Sequence, residues 1–180
     1  VQKSVANYSF YFGATNDNEG LIPHLDKQRI CGIKLFMGAS TGNMLVDKMD
    51  SLKYIFKHAG MLIATHCEDQ SIINSNIAAY KGKYDEDLPI HYHPLIRDER
   101  ACYESSSLAV ALAKETGARL HIMHISTAKE LELLEDKPIG EKNITAEACV
   151  SHLFFSDKDY ERLGARIKCN PAIKTLKDRD

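Results

Sequence analysis

No apolar run in this sequence is long enough to cross a bilayer, and no signal peptide opens it. A cytoplasmic protein is expected from the cysteines, which read as reduced thiols. Lys and Arg are scattered, none forms a basic stretch interleaved with aromatics, and the net charge is −2. Nucleic acid is thus an unexpected partner. No Cys-x-x-Cys pair occurs among Cys31, Cys67, Cys102, Cys149 and Cys169. An odd set without that spacing reads as reduced thiols, not as a disulfide framework or a zinc knuckle. No Gly-x-Gly-x-x-Gly follows an apolar run, which weakens the case for a nucleotide-binding sheet. Repeats and low-complexity segments are absent too. What the length of 180 residues does allow is one domain, 1–180, with a real core.

What is present is an alternation. Ser4 to Thr15, rich in Val, Tyr and Phe, predicts a strand. A short helix is expected from Gly20 to Arg29, a strand over Cys31 to Ala39, and a polar loop from Ser40 to Asn43. Ser51 to His58 predicts a helix closed by Gly60. Met61 to Thr65 predicts the next strand, ending in His66-Cys67-Glu68-Asp69. A helix at about Gln70 to Tyr80 precedes a polar loop, Lys81 to His93. Arg97 to Thr116 has helical spacing, with Gly117 as its stop. The apolar stretch Arg119 to Thr127 predicts a strand that runs into a helix at Ala128 to Glu135, capped by Ser126 or Thr127. Asn143 to Val150 predicts a strand, Asp157 to Gly164 a helix, and Arg166 to Ile173 an extended end. Continuous apolar strands alternating with helices mean a parallel sheet covered by helices. A doubly wound sheet and part of a (β/α)8 barrel both satisfy that pattern.

Three strands in succession carry a metal-competent group at or near the carboxyl end: Lys34, His66 and His124. That is the end at which parallel α/β proteins keep their chemistry. Lys34 lies among Ile33, Leu35, Phe36 and Met37. A buried ammonium without a partner is costly and tends to lose its proton. A neutral Lys amine can add carbon dioxide to form an anionic carbamate with two oxygens able to bridge two metals. His66 is followed by Glu68 and Asp69, which either join the site or form an acidic first helical turn. Imidazole and carboxylate together suit zinc. His121 and His124 stand three apart, so on one strand they face opposite sides. His124, nearer the carboxyl end, is the better candidate.

Taken in order, these pieces resemble the cyclic amidohydrolases, and among them the dihydroorotase family. The resemblance rests on Gly32-Ile33-Lys34-Leu35-Phe36-Met37, Thr65-His66-Cys67-Glu68, His121 to Thr127, Thr145-Ala146-Glu147 with His152-Leu153, and Lys168-Cys169-Asn170-Pro171. It implies a (β/α)8 barrel, of which this chain is a middle segment, about the third to the seventh strand. It also implies two zinc ions bridged by carboxylated Lys34, with His66 and His124 as ligands and Asn170 against the substrate ring. Hydrolysis of dihydroorotate to carbamoyl aspartate, and its reversal in pyrimidine biosynthesis, would follow. The partner is then a small-molecule substrate, and a homodimer is compatible with it.

The family's His-x-His on the first strand and its catalytic Asp on the last have no counterpart here. His91-Tyr92-His93 has the spacing but falls in the expected polar loop. The family's Pro-His-His-Leu stands here as Val150-Ser151-His152-Leu153, and its Asn-Pro-Pro-Leu as Asn170-Pro171-Ala172-Ile173. Hydantoinases, dihydropyrimidinases and allantoinases are the rival cyclic amidases. The first two usually carry a Tyr just after the lysine strand. Gly38 to Asn43 has none, which favours dihydroorotase. A non-catalytic scaffold relative is the rival of another class. Such proteins typically lose metal ligands, whereas Lys34, His66 and His124 are all present.

Overall fold

Residues 3–38, 42–84 and 88–180 are described by a computed structural model, and the statements below concern these. The apolar runs become five parallel strands: β1 (Phe10–Gly13), β2 (Ile30–Phe36), β3 (Ile63–His66), β4 (Leu120–Ile122) and β5 (Ile144–Ala146). They lie side by side in chain order, β1-β2-β3-β4-β5. A doubly wound sheet reverses its strand order at a switch point. Here the order runs one way, as it does around a barrel. The connections carry α1 (Met49–His58), then α2 (Gln70–Tyr84), α3 (His93–Ile96) and α4 (Glu99–Thr116), then a 3₁₀ turn, Lys129–Leu133. Three short helices follow β5: α5 (Val150–Phe154), α6 (Tyr160–Leu163) and α7 (Leu176–Arg179).

Strand pleating sorts the sequence onto two faces. The row Ile33, Ile63, Leu120, Ile144 faces the helices. There it packs with Ile55 and Phe56 of α1 and Ala109 and Leu112 of α4 in the main core. The neighbouring row, Lys34, Ala64, His121, Thr145, looks the other way, and Phe36 and His66 pair next to it. One face is thus apolar and packed against helices, and the other carries the polar groups.

Several expected boundaries shift. Only Phe10–Gly13 of the first expected strand pairs; residues 4–9 are exposed. The strand at Arg119 to Thr127 stops at Ile122, because His124 has a φ of 39° and turns the chain. The helix expected from Ala128 shortens to the 3₁₀ turn, whose Glu130 folds back onto Ser126 and Thr127. In the expected loop Lys81 to His93, the described residues are largely helical. Helix α2 continues to Tyr84, Ile90–Tyr92 is a 3₁₀ turn, and α3 starts with Pro94 in its first turn. Polar composition had concealed helical backbone there. The strand expected to run to Val150 ends at Ala146, and Val150 opens α5. The last extended piece is entered through a 3₁₀ turn, Gly164–Ile167. It then packs Ile173 beside Tyr160 and Ile167 in a second small core. Helix α4 and its left-handed Gly117, at φ 71°, match the expectation. Residues 40 and 41 of the loop expected at Ser40 to Asn43, and residues 85–87, lie outside the described residues.

Candidate metal centre

The carboxyl end of the sheet is where the polar groups meet. His66 is the last residue of β3 and is 4% exposed. Its Nδ1 lies 3.1 Å from Nε2 of His124. The two rings meet edge to face, 4.9 Å between centroids. His124 reaches this position because it lies beyond β4. The chain stays paired as far as Met123, whose N–H donates to the Thr65 carbonyl at 3.0 Å, and then turns at His124. Alternation along a strand therefore does not separate His121 from His124, contrary to the expectation. His121 itself pairs with Ala64, as Lys34 does, so it occupies the same face as Lys34. Its Nδ1 meets Thr145 Oγ1 at 2.9 Å and its Nε2 is 3.4 Å from Glu147 Oε2.

Lys34 is half-buried, with its ammonium 4.4 Å above the Phe36 ring. Among the described residues Nζ is buried and has no hydrogen-bond partner. Burial lowers its pKa to about 8, against weaker opposing effects of Cys67 and Glu147. His124 falls to about 4, first through burial and then through the neighbouring His66 and Lys34. Its Nδ1 also lacks a partner among the described residues. With both imidazoles neutral and the buried, unpartnered Lys34 amine deprotonated, each of the three groups offers one lone pair. That fits a cation better than it fits the groups alone. No three His, Cys, Asp or Glu side chains gather at one point among the described residues, so the set here is two histidines and Lys34. Cys67 does not join them. It donates to Thr65 Oγ1 at 3.2 Å, and burial pushes its thiol up to about 11.

Asn170 is exposed. The next residue, Pro171, uses its carbonyl to accept from His152 Nε2 at 2.9 Å. His91 and His93 do not converge on the cluster. His93 Nε2 donates to the Cys169 carbonyl at 2.8 Å.

Three buried groups around the site gave only a partial signal in the sequence. Glu68 was a candidate without an assigned place; it is fully buried, 2.9 Å from His66 Nε2, and ion-paired with Arg97. Burial works to raise its pKa, but the His66 hydrogen bond and the Arg97 charge outweigh that and hold it low. Glu130 is 2% exposed and accepts from Ser106 Oγ at 2.6 Å, Thr127 Oγ1 at 2.9 Å and Ser126 N at 3.3 Å. Lys174 is buried, and its Nζ donates to Ser126 Oγ and the Ala172 carbonyl. Glu68 stands in the Thr65-to-Glu68 piece, whereas Glu130 and Lys174 follow no motif. No local signal marks Glu130 as buried, since Lys129 and Glu132 flank it as on any exposed helical turn.

No protein-family model matches the chain. Individual proteins do. The chain is 26% identical over 179 residues to an allantoinase of Deinococcus radiodurans, covering 96% of this chain and 39% of that protein. It is 31% identical over 146 residues to a dihydroorotase of Staphylococcus epidermidis, covering 80% of this chain and 32% of that protein. Among solved structures, the L-hydantoinase (dihydropyrimidinase) from Arthrobacter aurescens superposes with a TM-score of 0.86 at 23% identity. That match covers 97% of this chain and 39% of the other. The chain is homologous to the cyclic amidohydrolases. It spans well under half the length of these cyclic amidohydrolase relatives. Its five parallel strands are accordingly a segment of a (β/α)8 barrel. The cyclic amidohydrolase relatives carry three different names, so this homology by itself does not choose a substrate.

Proposed function

We propose that the protein containing this chain is a zinc-dependent dihydroorotase, with residues 1–180 forming part of one barrel domain. Lys34, His66 and His124 would hold the metal, and Asn170 would contact the substrate ring. The observation that carries the reading is the approach of His66 Nδ1 and His124 Nε2 to 3.1 Å, at the strand ends of a sheet whose Lys34 amine has no hydrogen-bond partner among the described residues. The choice of dihydroorotate rests on the 31% identical dihydroorotase and on the absence of Tyr from Gly38 to Asn43.

Zinc bound here would polarise a ring carbonyl of the substrate and lower the pKa of water. The chain's own residues prepare that chemistry. A lysine with a pKa of about 8 has a larger neutral fraction at pH 7 than an exposed one. Its neutral amine forms a bond to the carbon of carbon dioxide, a proton leaves nitrogen, and a carbamate results. A cation thereby becomes an anion suited to metal. His66 and His124 supply neutral lone pairs, the state that the lowered pKa of His124 favours. The Phe36 ring lies beside both Lys34 and His66 and limits water on that side. The family's proton-shuttling Asp would come from outside these residues. A small-molecule substrate, a cytoplasmic location and a homodimer complete the proposal. No described helix is long and apolar enough to cross a membrane.

The test is direct. The intact protein, with its zinc content measured, is assayed on dihydroorotate, allantoin and hydantoin. The expected result is kcat/KM for dihydroorotate roughly 100-fold above the others. A preference for allantoin or hydantoin would replace the substrate, and undiminished turnover after chelation would reject the metal reading.

A further inference from the structure

We propose that Glu68, held by Arg97, is a positioning residue that fixes the tautomer of His66 and so makes Nδ1 its metal-facing nitrogen. The inference rests on the metal reading above and adds to it a specific ligand atom and the device that selects it.

A neutral imidazole carries one proton on two nitrogens, and its neighbours decide which. His66 Nε2 lies 2.9 Å from Glu68 Oε2. A carboxylate only accepts, so Nε2 must donate. Nδ1 is then left with a lone pair, and it is the nitrogen facing His124 at 3.1 Å. Arg97 donates from its guanidinium to the same Glu68 oxygen, which keeps a counter-charge on a fully buried carboxylate. With Glu68 at 0% and His66 at 4% exposure, bulk water offers neither group a substitute partner.

The other histidines make the contrast. His93 and His152 donate to backbone carbonyls. His121 faces Glu147 at a looser 3.4 Å, and that carboxylate is half-exposed. Among the described residues, His66 is thus the histidine tied to a buried, charge-compensated carboxylate. A ligand histidine whose second nitrogen donates to a carboxylate has a fixed ring orientation and a more basic lone pair. Arg97 sits between α3 and α4, 29 positions from Glu68. The segment joining β3 to β4 therefore completes a site that it does not itself enter.

¹⁵N imidazole spectra of the intact, metal-stripped protein read the tautomer without any turnover. The wild type is expected to carry the His66 proton on Nε2. In the Glu68→Met/Arg97→Met double variant a mixture with the Nδ1–H form is expected, and zinc affinity should fall roughly 10- to 100-fold. Replacing both charges roughly preserves volume and strands no buried ion, and circular dichroism checks that the variant folds. The wild-type spectrum decides the matter even without the variant. His66 protonated on Nδ1 in a wild type that binds zinc overturns this inference alone. So does a double variant with unchanged tautomer and zinc affinity. A wild type that binds no metal overturns the metal reading and this inference with it.

Discussion

Lys34 shows how one residue in an apolar strand constrains chemistry. Its neighbours Ile33 and Leu35 are fully buried on the opposite face, while its amine lies over Phe36 without a hydrogen bond among the described residues. Lys34→Ala in the intact protein should abolish activity and cut metal content, and a short carboxylic acid such as propionate should restore part of both. Unchanged metal content would reject the bridging role. A second residue-scale prediction concerns pH. Burial lowers the pKa of His93 and of His152 below 6.5, although the carbonyls of Cys169 and Pro171 pull each the other way. As pH falls through 6.5, the unfolded chain takes up these protons before the folded one does. The unfolded state then binds more protons, so stability falls with acidification. The urea midpoint at pH 5.5 should lie below that at pH 7.5. In His93→Gln and His152→Gln, which keep an N–H donor, the difference should shrink.

At the scale of elements, two segments depend on contacts that their own sequence does not announce. The turn after β4 that aims His124 is tied down by Glu130, through Ser126 N, Thr127 Oγ1 and Ser106 Oγ of α4. Glu130→Leu strands those donors in a buried setting. The expected cost is about 3 kcal/mol in urea unfolding, with weaker metal retention because the turn is freed. Gly38 works by close approach. A Cβ there would sit 1.5 Å from the Glu68 carbonyl oxygen, and backbone cannot yield as a side-chain tip can. Gly38→Ala should cost roughly 3 kcal/mol and disturb the His66–Glu68 pair. Thermal melts of metal-free protein will measure it. Neither dependence was legible locally: Glu130 looks like an ordinary helical acid and Gly38 like an ordinary glycine near a strand's end. Helix α4 was legible to within two residues, because its apolar spacing and Gly117 agree, and the structure adds the Asp98 cap.

For the whole molecule, the open sheet is the decisive feature. Strands β1 and β5 end the sheet on either side. Tyr8, Phe10 and Tyr11 are exposed near one edge, and Val150, Leu153 and Phe154 just after the other. Unpaired edges flanked by apolar side chains are aggregation templates. Residues 1–180 expressed alone should therefore be poorly soluble and fail to hydrolyse dihydroorotate, and the intact protein, on the proposed function, should be soluble and active. Sedimentation and a zinc-supplemented assay compare the two, and a soluble, active segment would show that the ligands are misplaced. The sequence by itself determined the alternation of strand and helix, the parallel sheet, and the order of Lys34, His66 and His124 at strand ends. These are written in local periodicity, which pleating and helical pitch convert directly into faces. The tertiary structure alone decided the left-handed turn at His124, the shared face of Lys34 and His121, and the union of Glu68 with Arg97. A backbone angle of 39° and a pairing across 29 positions are set by packing and by the need to satisfy buried charge, and neither leaves a period in the chain.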